Sequence, residues 1–319
     1  MKNELKELQV IEIPYDETEP FWKVYYEEDG KKEVQIESYV TRPAGWRELD
    51  DYKLCGVYHK AGVPFEVSKI ECNDKEKPHE EQIKNISSLT KKSIGEGKAL
   101  LMVGGGCSHA IGVAGGLRKA LGQETKIGLI WLDAHGDINT PETTESGLLG
   151  GTPLAVCAGL CSGKAYQEWM DAAGLNPPIE ERDIILTDAR DLDPKEEKVL
   201  NAAEVIHIDT ETFNDPEKWK TAVDQLATRV DVLYLHIDGD ILDGKYTPDH
   251  FTIEFGGPDI ETVMNNIKTV MATNKVLAFS LVSIYFDNDK PGKEVSTLNG
   301  MRLLGSGLEA WKWMPEVDK

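Results

Sequence analysis

Short apolar runs and amphipathic stretches alternate along most of the chain. The apolar runs predict buried strands, because a short apolar segment bounded by turn residues fits a strand that is covered on both faces. The amphipathic stretches between them predict helices. The predicted strands are Leu8–Ile13, Ala99–Val103, Lys126–Leu132, Asp183–Leu186, Val205–Ile208, Val232–Ile237 and Val276–Val282. The predicted helices are Glu81–Ile94, Ser108–Ala120, Lys164–Ala173, Pro194–Ala203, Pro216–Arg229 and Asp259–Thr273.

The repetition of strand and helix predicts an α/β fold in three layers, with a mostly parallel central sheet flanked by helices. The chain shows no internal repeat and no low-complexity linker, so we predict a single domain over residues 1–319. Residues 15–50 are charged and aromatic, and they predict an irregular surface region with a hairpin around Asp29 and Gly30. Ligands of such sheets bind beyond the carboxyl ends of the strands.

Charge and cysteine content narrow the choice of partners and compartment. The 319 residues include 35 Lys and Arg against 56 Asp and Glu, a formal net charge of −21. We therefore expect neither nucleic acid nor membrane as a partner, because both attract basic surfaces. The N-terminal segment lacks the apolar core of a signal peptide, and no apolar run approaches the ~18 residues of a membrane span. The lack of both features, together with five cysteines scattered along the chain, predicts a cytoplasmic protein.

Two predicted strands end in acidic sequences. One runs into Asp133, His135 and Asp137, and the other runs into Asp238 and Asp240. Residues i and i+2 of an extended segment share a face, so these side chains converge at two strand ends. A single Asp-x-Asp is usually a turn or a helix cap, but two such ends with a histidine between carboxylates favour a pair of divalent cations. Oxygen ligands with imidazole suit Mn²⁺ best, with Zn²⁺, Co²⁺ or Ni²⁺ as alternatives.

At these positions the chain resembles the ureohydrolase family, which includes arginase, agmatinase and formiminoglutamase. The resemblance rests on Asp-Ala-His-Gly-Asp-Ile-Asn-Thr-Pro-Glu-Thr at 133–143, Asp-Gly-Asp-Ile-Leu-Asp at 238–243 and Gly-Gly-Gly-Cys-Ser-His-Ala-Ile-Gly at 104–112. It covers about residues 99–290. The resemblance implies an arginase-like fold, a binuclear manganese centre, hydrolysis of a guanidino-type C–N bond in a small molecule, and a homo-oligomer, either a trimer or a hexamer.

The resemblance also implies roles for individual residues. One metal ion would be bound by Cys107, Asp133, Asp137 and Asp238, and the other by Asp133, His135, Asp238 and Asp240, with Asp133 and Asp238 bridging. Asp137 would also pass a proton to the leaving amine. The substrate would contact Asn139, Ser146, Asp193 and Thr252. For Asp193 an equally good interpretation is a helix N-cap followed by Pro194.

Three positions depart from the family pattern. Cys107 stands where most members have a histidine ligand, and a thiolate shifts metal preference toward Zn²⁺ or Co²⁺. The alternative is a buried thiol that binds no metal, and some members resembling N-hydroxyarginine amidinohydrolases carry a cysteine here. Gly150 replaces a histidine that shuttles protons in arginases, and Ser283 replaces a glutamate that pairs with the guanidinium. We therefore predict a modified arginine, such as N-hydroxyarginine, as a better substrate than arginine.

The sequence leaves alternative functions open, and it leaves the roles of three other histidines open. The alternatives are hydrolysis of agmatine, a guanidino acid or a formimino compound, and a non-catalytic protein that retains the fold. His236 either orients a metal ligand or is a satisfied core residue. We expect His250, in the substrate loop, to be solvated, with replacement of a lost active-site group as the alternative. His109 is a less favoured substitute ligand, because a helix turns its side chain away.

Overall fold

The computed structural model describes residues 2–13, 18–26, 32–41, 47–74, 76–250, 252–284 and 292–316, with the backbone alone for 18–26, 32–41, 47–48, 165 and 293. The strands are β1 (Lys2–Glu4), β2 (Leu8–Ile13), β3 (Thr18–Tyr26), β4 (Lys32–Thr41), β5 (Phe65–Lys69), β6 (Ala99–Gly104), β7 (Ile127–His135), β8 (Ile184–Asp191), β9 (Ile206–Ile208), β10 (Val232–Asp238), β11 (Val276–Val282) and β12 (Trp313–Pro315). The helices are α1 (Arg47–Leu54), α2 (Pro78–Gly95), α3 (Ala110–Leu121), α4 (Pro153–Cys157), α5 (Lys164–Ala173), α6 (Glu196–Ala202), α7 (Thr210–Phe213), α8 (Pro216–Arg229), α9 (Ile260–Met271) and α10 (Lys293–Ala310).

A parallel sheet of eight strands forms the centre of the fold, in the order β5-β2-β6-β11-β10-β7-β8-β9. Every residue of β2, β6, β10 and β11 is buried, which requires cover on both faces of the sheet. Helix α2 packs against α3 and α5, and α9 packs against α8 and α10. The predicted fold class is confirmed. The seven predicted strands all lie in this sheet, and single-domain organisation stays a prediction.

Among the elements that escaped the sequence prediction, β5 and α10 have weak local signals. Strand β5 is a short, charged edge strand whose side chains are mostly exposed. Helix α10 contains glycines, which lower intrinsic helix propensity. Tertiary packing explains two of them: a Cβ at Gly300 would lie 2.4 Å from the Tyr52 hydroxyl, and one at Gly307 would lie 2.7 Å from the Phe279 ring. The glycines let this helix approach its neighbours closely.

The segment predicted as irregular, residues 15–50, contains regular structure. Strands β3 and β4 pair antiparallel, with Tyr26 opposite Lys32, and α1 follows them. Both strands are rich in aromatic and β-branched residues, which favour a pleated strand. The expectation of an irregular surface region is therefore wrong for these elements, whereas the pairing agrees with the predicted hairpin. The turn itself, with Asp29 and Gly30, lies outside the described residues.

None of the helices in the described part of the chain combines the length and apolar character needed to cross a bilayer.

Candidate metal centre

The carboxyl ends of five adjacent strands form one edge of the sheet, in the order β6, β11, β10, β7 and β8. Because these strands are parallel, the residues that follow them meet at that edge although they are distant in the sequence. Cys107 follows β6, and Ser283 follows β11. Asp240 follows β10, Asp137 follows β7, and Asp193 follows β8. The topology thereby brings together the three motifs that the sequence singled out.

The ends of β7 and β10 hold the centre of the cluster. Asp133 and Asp238 are buried side chains whose Oδ1 atoms accept the backbone N–H groups of His135 and Asp240, at 2.7 and 3.0 Å. The Nδ1 atom of His135 lies 3.0 Å from Asp240 Oδ2 and 3.5 Å from Asp133 Oδ1. Asp240 Oδ1 also accepts the Ala134 N–H, at 3.1 Å. The backbone thus fixes each carboxylate. Asp133 and His135 lie two residues apart on β7, whereas Asp240 lies in a 3-10 turn, Gly239–Ile241, that follows Asp238.

A glycine turn after β6 presents Cys107 to these carboxylates. Gly104 and Gly105 adopt φ values of +79° and +66°, and a Cβ at Gly104 would lie 2.2 Å from the carbonyl oxygen of Ile13. Only glycine tolerates both constraints. The Cys107 Sγ atom lies 2.9 Å from Asp238 Oδ2 and 3.6 Å from Asp133 Oδ2. The thiol is therefore within the cluster, at the position that the sequence analysis assigned to a ligand.

A chain of hydrogen bonds lies behind Cys107. His236 Nε2 is 3.4 Å from the Cys107 sulfur, and His236 Nδ1 is 2.7 Å from the Ser280 hydroxyl, which is 2.9 Å from the Tyr234 hydroxyl. Trp131 stacks on the His236 ring, with centroids 3.8 Å apart, and its Nε1–H donates to Asp133 Oδ2. Both interpretations of His236 thus have support: it is fully buried, and it touches a candidate ligand.

One carboxylate oxygen of Asp137 has no hydrogen-bond donor among the described residues. Its backbone has a φ of +49°, and its carbonyl oxygen accepts the N–H groups of Leu154 and Ala155 at the start of α4. Its Oδ2 atom is buried and has no hydrogen-bond partner among the described residues. Burial, followed by the charge of Asp133, raises the pKa of Asp137 well above its ordinary value. A buried acceptor without a donor is costly, and a bound cation would satisfy it.

The pKa values of Asp133, Cys107 and His135 are also raised, which indicates that the cluster lacks positive charge. Burial, reinforced by Asp240 and Asp238, raises the pKa of Asp133 to about 8. Burial and the charge of Asp238 raise the pKa of the Cys107 thiol well above its usual range. Burial opposes charge on His135, but hydrogen bonds to Asp133 and Asp240 outweigh it and raise that pKa. Without a cation, these groups therefore hold protons.

The donor set fits divalent cations. Ligand atoms lie within 4.8 Å of one another in the groups Cys107–Asp133–Asp137, Asp133–His135–Asp240 and Asp238–Asp240–His250. Such groups can hold metal ions, with carboxylate and imidazole donors that suit Mn²⁺ and a thiol that suits softer ions. A fourth group, His135–Asp191–Glu254, lies toward the exposed side of His135.

The predicted substrate residues fall into two places. Asn139 Nδ2 donates to Asp193 Oδ2 at 3.3 Å, beyond β8, and the Thr252 hydroxyl donates to Asp240 Oδ2 at 3.3 Å. Asp193 does not itself cap α6, which begins at Glu196. Ser146 is exposed, and its recorded hydrogen bonds stay within its own turn, to Thr144 and Leu148.

The two other positions that depart from the family pattern, Ser283 and Gly150, also lie beside this cluster. Ser283 has a φ of +56°, and its N–H donates to the carbonyl oxygen of Gly105 at 3.0 Å. It therefore sits between the Cys107 turn and the end of β10. Gly150 lies in a short 3-10 turn, Leu149–Gly151, whose last carbonyl accepts the Asn139 N–H.

The structure also shows where three further histidine and acidic side chains lie. The expectation that His250 is solvated is wrong: it is 3% exposed, and its Nε2 lies 3.5 Å from Asp238 Oδ1. His109 turns away from the cluster, toward Gln82 and the Gly106 backbone. Glu196, predicted only as part of a helix, accepts the Ile138 N–H behind Asp137, and burial raises its pKa to about 7. No local sequence pattern marks Glu196 or His250, because both reach the site from separate loops or helices.

A parallel sheet with acidic side chains and imidazole at its carboxyl edge defines an α/β protein with a candidate metal centre. Comparison with known proteins gives the family. The profile of the Arginase family matches residues 40–306, which is most of the chain. The protein belongs to the arginase family.

Individual relatives agree with this assignment. The chain is 28% identical to an arginase of Glaciozyma antarctica over 207 residues, 63% of this chain and 58% of that protein. It is 33% identical to the Bacillus subtilis arginase over 145 residues, 42% of this chain and 47% of that protein. These matched segments thus span about half the length of the relatives. The Bacillus subtilis arginase crystal structure shares the fold, with a TM-score of 0.77 at 22% identity, covering 95% of this chain and 98% of that one.

Proposed function

We propose that this protein is a metal-dependent amidinohydrolase that cleaves a guanidino or amidino C–N bond of a small, arginine-like substrate. The observation that carries the proposal is the convergence of a thiol, an imidazole and four carboxylates at adjacent strand ends. Those side chains are Cys107, Asp133, His135, Asp137, Asp238 and Asp240. Membership of the arginase family supports the same chemistry.

The six side chains would hold two divalent cations, with Mn²⁺ favoured by the family resemblance. When bound, such ions make water nucleophilic at neutral pH and polarise the bond under attack. The unpartnered oxygen of Asp137 supports its proposed second role, because a carboxylate with a raised pKa accepts and releases a proton readily. The carboxylates of Asp133 and Asp238, held by backbone N–H groups, would keep the two ions in place.

The substrate would extend from the metal centre toward the end of β8. Asn139 and Asp193, which are hydrogen-bonded to each other, would contact its amino acid end together with Ser146. Thr252, on Asp240, would contact the end that reacts. An acidic Asp193 suits a positively charged amino group, which favours an α-amino acid over a substrate without one.

We further propose that arginine itself is a poor substrate and that a modified arginine, such as N-hydroxyarginine, is a better one. A guanidinium in a buried site needs a carboxylate partner, and leaving such a charge unpaired costs about 3–5 kcal/mol. That cost corresponds to roughly two to four decades in rate. Ser283 and Gly150 supply neither a negative charge nor a proton shuttle. A less basic hydroxyguanidine would need neither.

A product screen tests the proposal. The protein is loaded separately with Mn²⁺, Co²⁺ or Zn²⁺ and incubated with arginine, N-hydroxyarginine, agmatine, guanidino acids and formimino compounds. We expect hydroxyurea from N-hydroxyarginine to exceed urea from arginine, and Asp133→Asn to form neither. Formamide or ammonia from a formimino compound, or urea from agmatine, would contradict the substrate assignment. Two bound ions without any turnover would favour a non-catalytic protein. Size measurement in solution tests the proposed trimer or hexamer.

A further inference from the structure

His250 reaches the metal centre from outside the strand ends. It closes a turn, in which its N–H donates to the Thr247 carbonyl oxygen at 3.0 Å. The following loop is fastened to the end of β10, because Arg190 Nη2 donates to the carbonyl oxygens of Asp240 and Glu254, at 2.8 and 3.1 Å. The His250 side chain is 3% exposed. Its position is therefore set by packing and hydrogen bonds rather than by solvent.

The hydrogen bond of one ring nitrogen determines what the other can do. His250 Nδ1 lies 2.7 Å from the Thr252 carbonyl oxygen, which can only accept, and 3.2 Å from the Thr252 backbone N–H, which can only donate. The contact with the carbonyl oxygen is the shorter one, so we place the hydrogen on Nδ1. The neutral ring then has its lone pair on Nε2. That atom faces Asp238 Oδ1 at 3.5 Å, and the ligand atoms of Asp238, Asp240 and His250 all lie within 4.8 Å of one another.

A lone pair facing two buried carboxylates is repulsive unless a positive charge lies between them. A histidine that donates its second ring N–H to a backbone carbonyl is the common arrangement for metal ligation. Ligand atoms at ~2.1 Å from one ion lie roughly 3–4 Å apart, which matches this spacing. The competing arrangement is a protonated imidazole paired with Asp238, with no metal contact.

We propose that His250 Nε2 is a ligand of the metal ion that Asp238 and Asp240 hold. The inference rests on the proposed function, since it requires the metal centre. Its consequence is that the loop carrying His250 and Thr252 becomes tied to the metal, so that metal binding and loop position are coupled. None of the three motifs that identify the centre contains this residue.

The test counts metal ions and imidazole ligands directly. Metal content is measured by elemental analysis after dialysis, and affinity by competition with a chelator, for wild type, His250→Asn and His250→Gln. Asparagine keeps a donor near the Thr252 carbonyl oxygen and offers nothing at the Nε2 position, whereas glutamine can place an amide there. His59→Gln, at an exposed position, is the matched control.

We expect wild type and His59→Gln to retain two ions and His250→Asn to retain one. The affinity for the lost ion should fall more than 100-fold, because loss of a group that only supports a ligand costs about 10–100-fold. In Co²⁺-loaded wild type, paramagnetically shifted imidazole N–H resonances should include one from His250, which disappears in His250→Asn. This count of shifted resonances needs no variant to fold.

Two results would overturn the inference alone, and a third would overturn it together with the proposed function. Equal stoichiometry and affinity in wild type and His250→Asn would make His250 a structural partner of Asp238 and would leave the proposed function intact. A single shifted imidazole resonance, from His135, in protein holding two Co²⁺ ions would do the same. Wild type that binds no metal would contradict the proposed function itself, and the inference with it.

Discussion

The two ends of the metal centre differ in how their negative charge is balanced. At the Asp240 end (Asp240, His135 and His250), the Asp240 carboxylate receives donors from His135 at 3.0 Å, the Ala134 backbone at 3.1 Å and Thr252 at 3.3 Å. Burial favours protonated Asp240, yet the hydrogen bond and charge of His135 outweigh it and hold the pKa below its ordinary value. Asp240 is therefore ionised, and paired with a protonated His135, before any metal arrives.

The Cys107 end (Cys107 and Asp137) has the opposite balance. Its thiol faces carboxylates at 2.9 and 3.6 Å, and Asp137 Oδ2 has no partner among the described residues. Burial raises the pKa of both groups, so they stay protonated until a cation displaces the protons. The contrast teaches that one end is prepared for a metal ion by hydrogen bonds, and the other only by the ion itself.

Asp238 touches both ends, so its replacement should have the largest effect. Its carboxylate lies 2.9 Å from Cys107 and 3.5 Å from His250. In Asp238→Asn we expect both ions to bind weakly and turnover to fall by roughly a thousandfold, because the charge that holds them is lost. Elemental analysis and the product assay check this. The exposed variant Asp224→Asn is the control, and near-normal metal content in Asp238→Asn would contradict the shared-ligand model.

The Cys107 end also lacks a negative charge opposite the substrate. Ser283→Glu should raise arginine turnover by about two decades or more, because it supplies a partner for the guanidinium. The neutral Ser283→Gln, of similar size, should not. Steady-state kinetics on arginine and N-hydroxyarginine measure both. Unchanged arginine turnover in Ser283→Glu would refute our explanation of substrate choice.

Proton release should distinguish the two ends. Metal binding at the Cys107 end must displace the thiol proton, so affinity should rise by about tenfold per pH unit between pH 6 and 8 for each proton released. Binding at the Asp240 end should release only the proton of His135, because Asp240 is already ionised, whereas the Cys107 end should lose the protons of both Cys107 and Asp137. Calorimetric titration in buffers of different ionisation enthalpy counts the protons. Equal proton release at both ends would remove the contrast between them.

Replacing the Cys107 thiol by an imidazole should make the metal ligands at the two ends of the centre more alike. In Cys107→His we expect Mn²⁺ affinity at that end to increase by about tenfold relative to Zn²⁺, because a neutral nitrogen replaces a soft, anionic sulfur. Cys107→Ser separates loss of the thiol from gain of the imidazole. Competition between the two ions, followed by elemental analysis, gives the ratio. If wild type and Cys107→His select the same ion equally, Cys107 is not a ligand.

A last expected effect concerns the stability of the metal-free protein rather than metal binding or turnover, and it arises behind Asp137. Burial raises the pKa of Glu196 from 4.5 to about 7, so its stabilising neutral form is fully present below pH 4.5 and lost as pH rises through 7. Metal-free wild type should therefore lose at most about 3 kcal/mol over that interval from this group. Glu196→Gln should lack this loss, as measured by urea unfolding at pH 5 and 8. Parallel pH profiles for both proteins would exclude the role of Glu196.

Local patterns predicted much of the fold and the centre of the site. Largely apolar runs identified seven of the eight strands of the central sheet, all except the exposed edge strand β5, because burial on both faces leaves that signature. Alternation predicted that the side chains at 133 and 135, and those at 238 and 240, share a face; the structure extends β7 through His135 but places Asp240 in a 3-10 turn. The sequence did not predict α10, because its glycines lower the helix propensity, whereas in the fold they allow the helix to pack closely against its neighbours.

The sequence by itself determined which strands form and which chemistry their ends carry, because both follow from spacing over a few residues. Only the tertiary structure decided that His250 is buried against Asp238, that Glu196 lies behind Asp137, and that Asn139 meets Asp193. These contacts join loops and helices whose approach depends on packing across the whole sheet. No short-range periodicity encodes such an approach, so the electrostatic difference between the two ends of the metal centre emerges only in the folded protein.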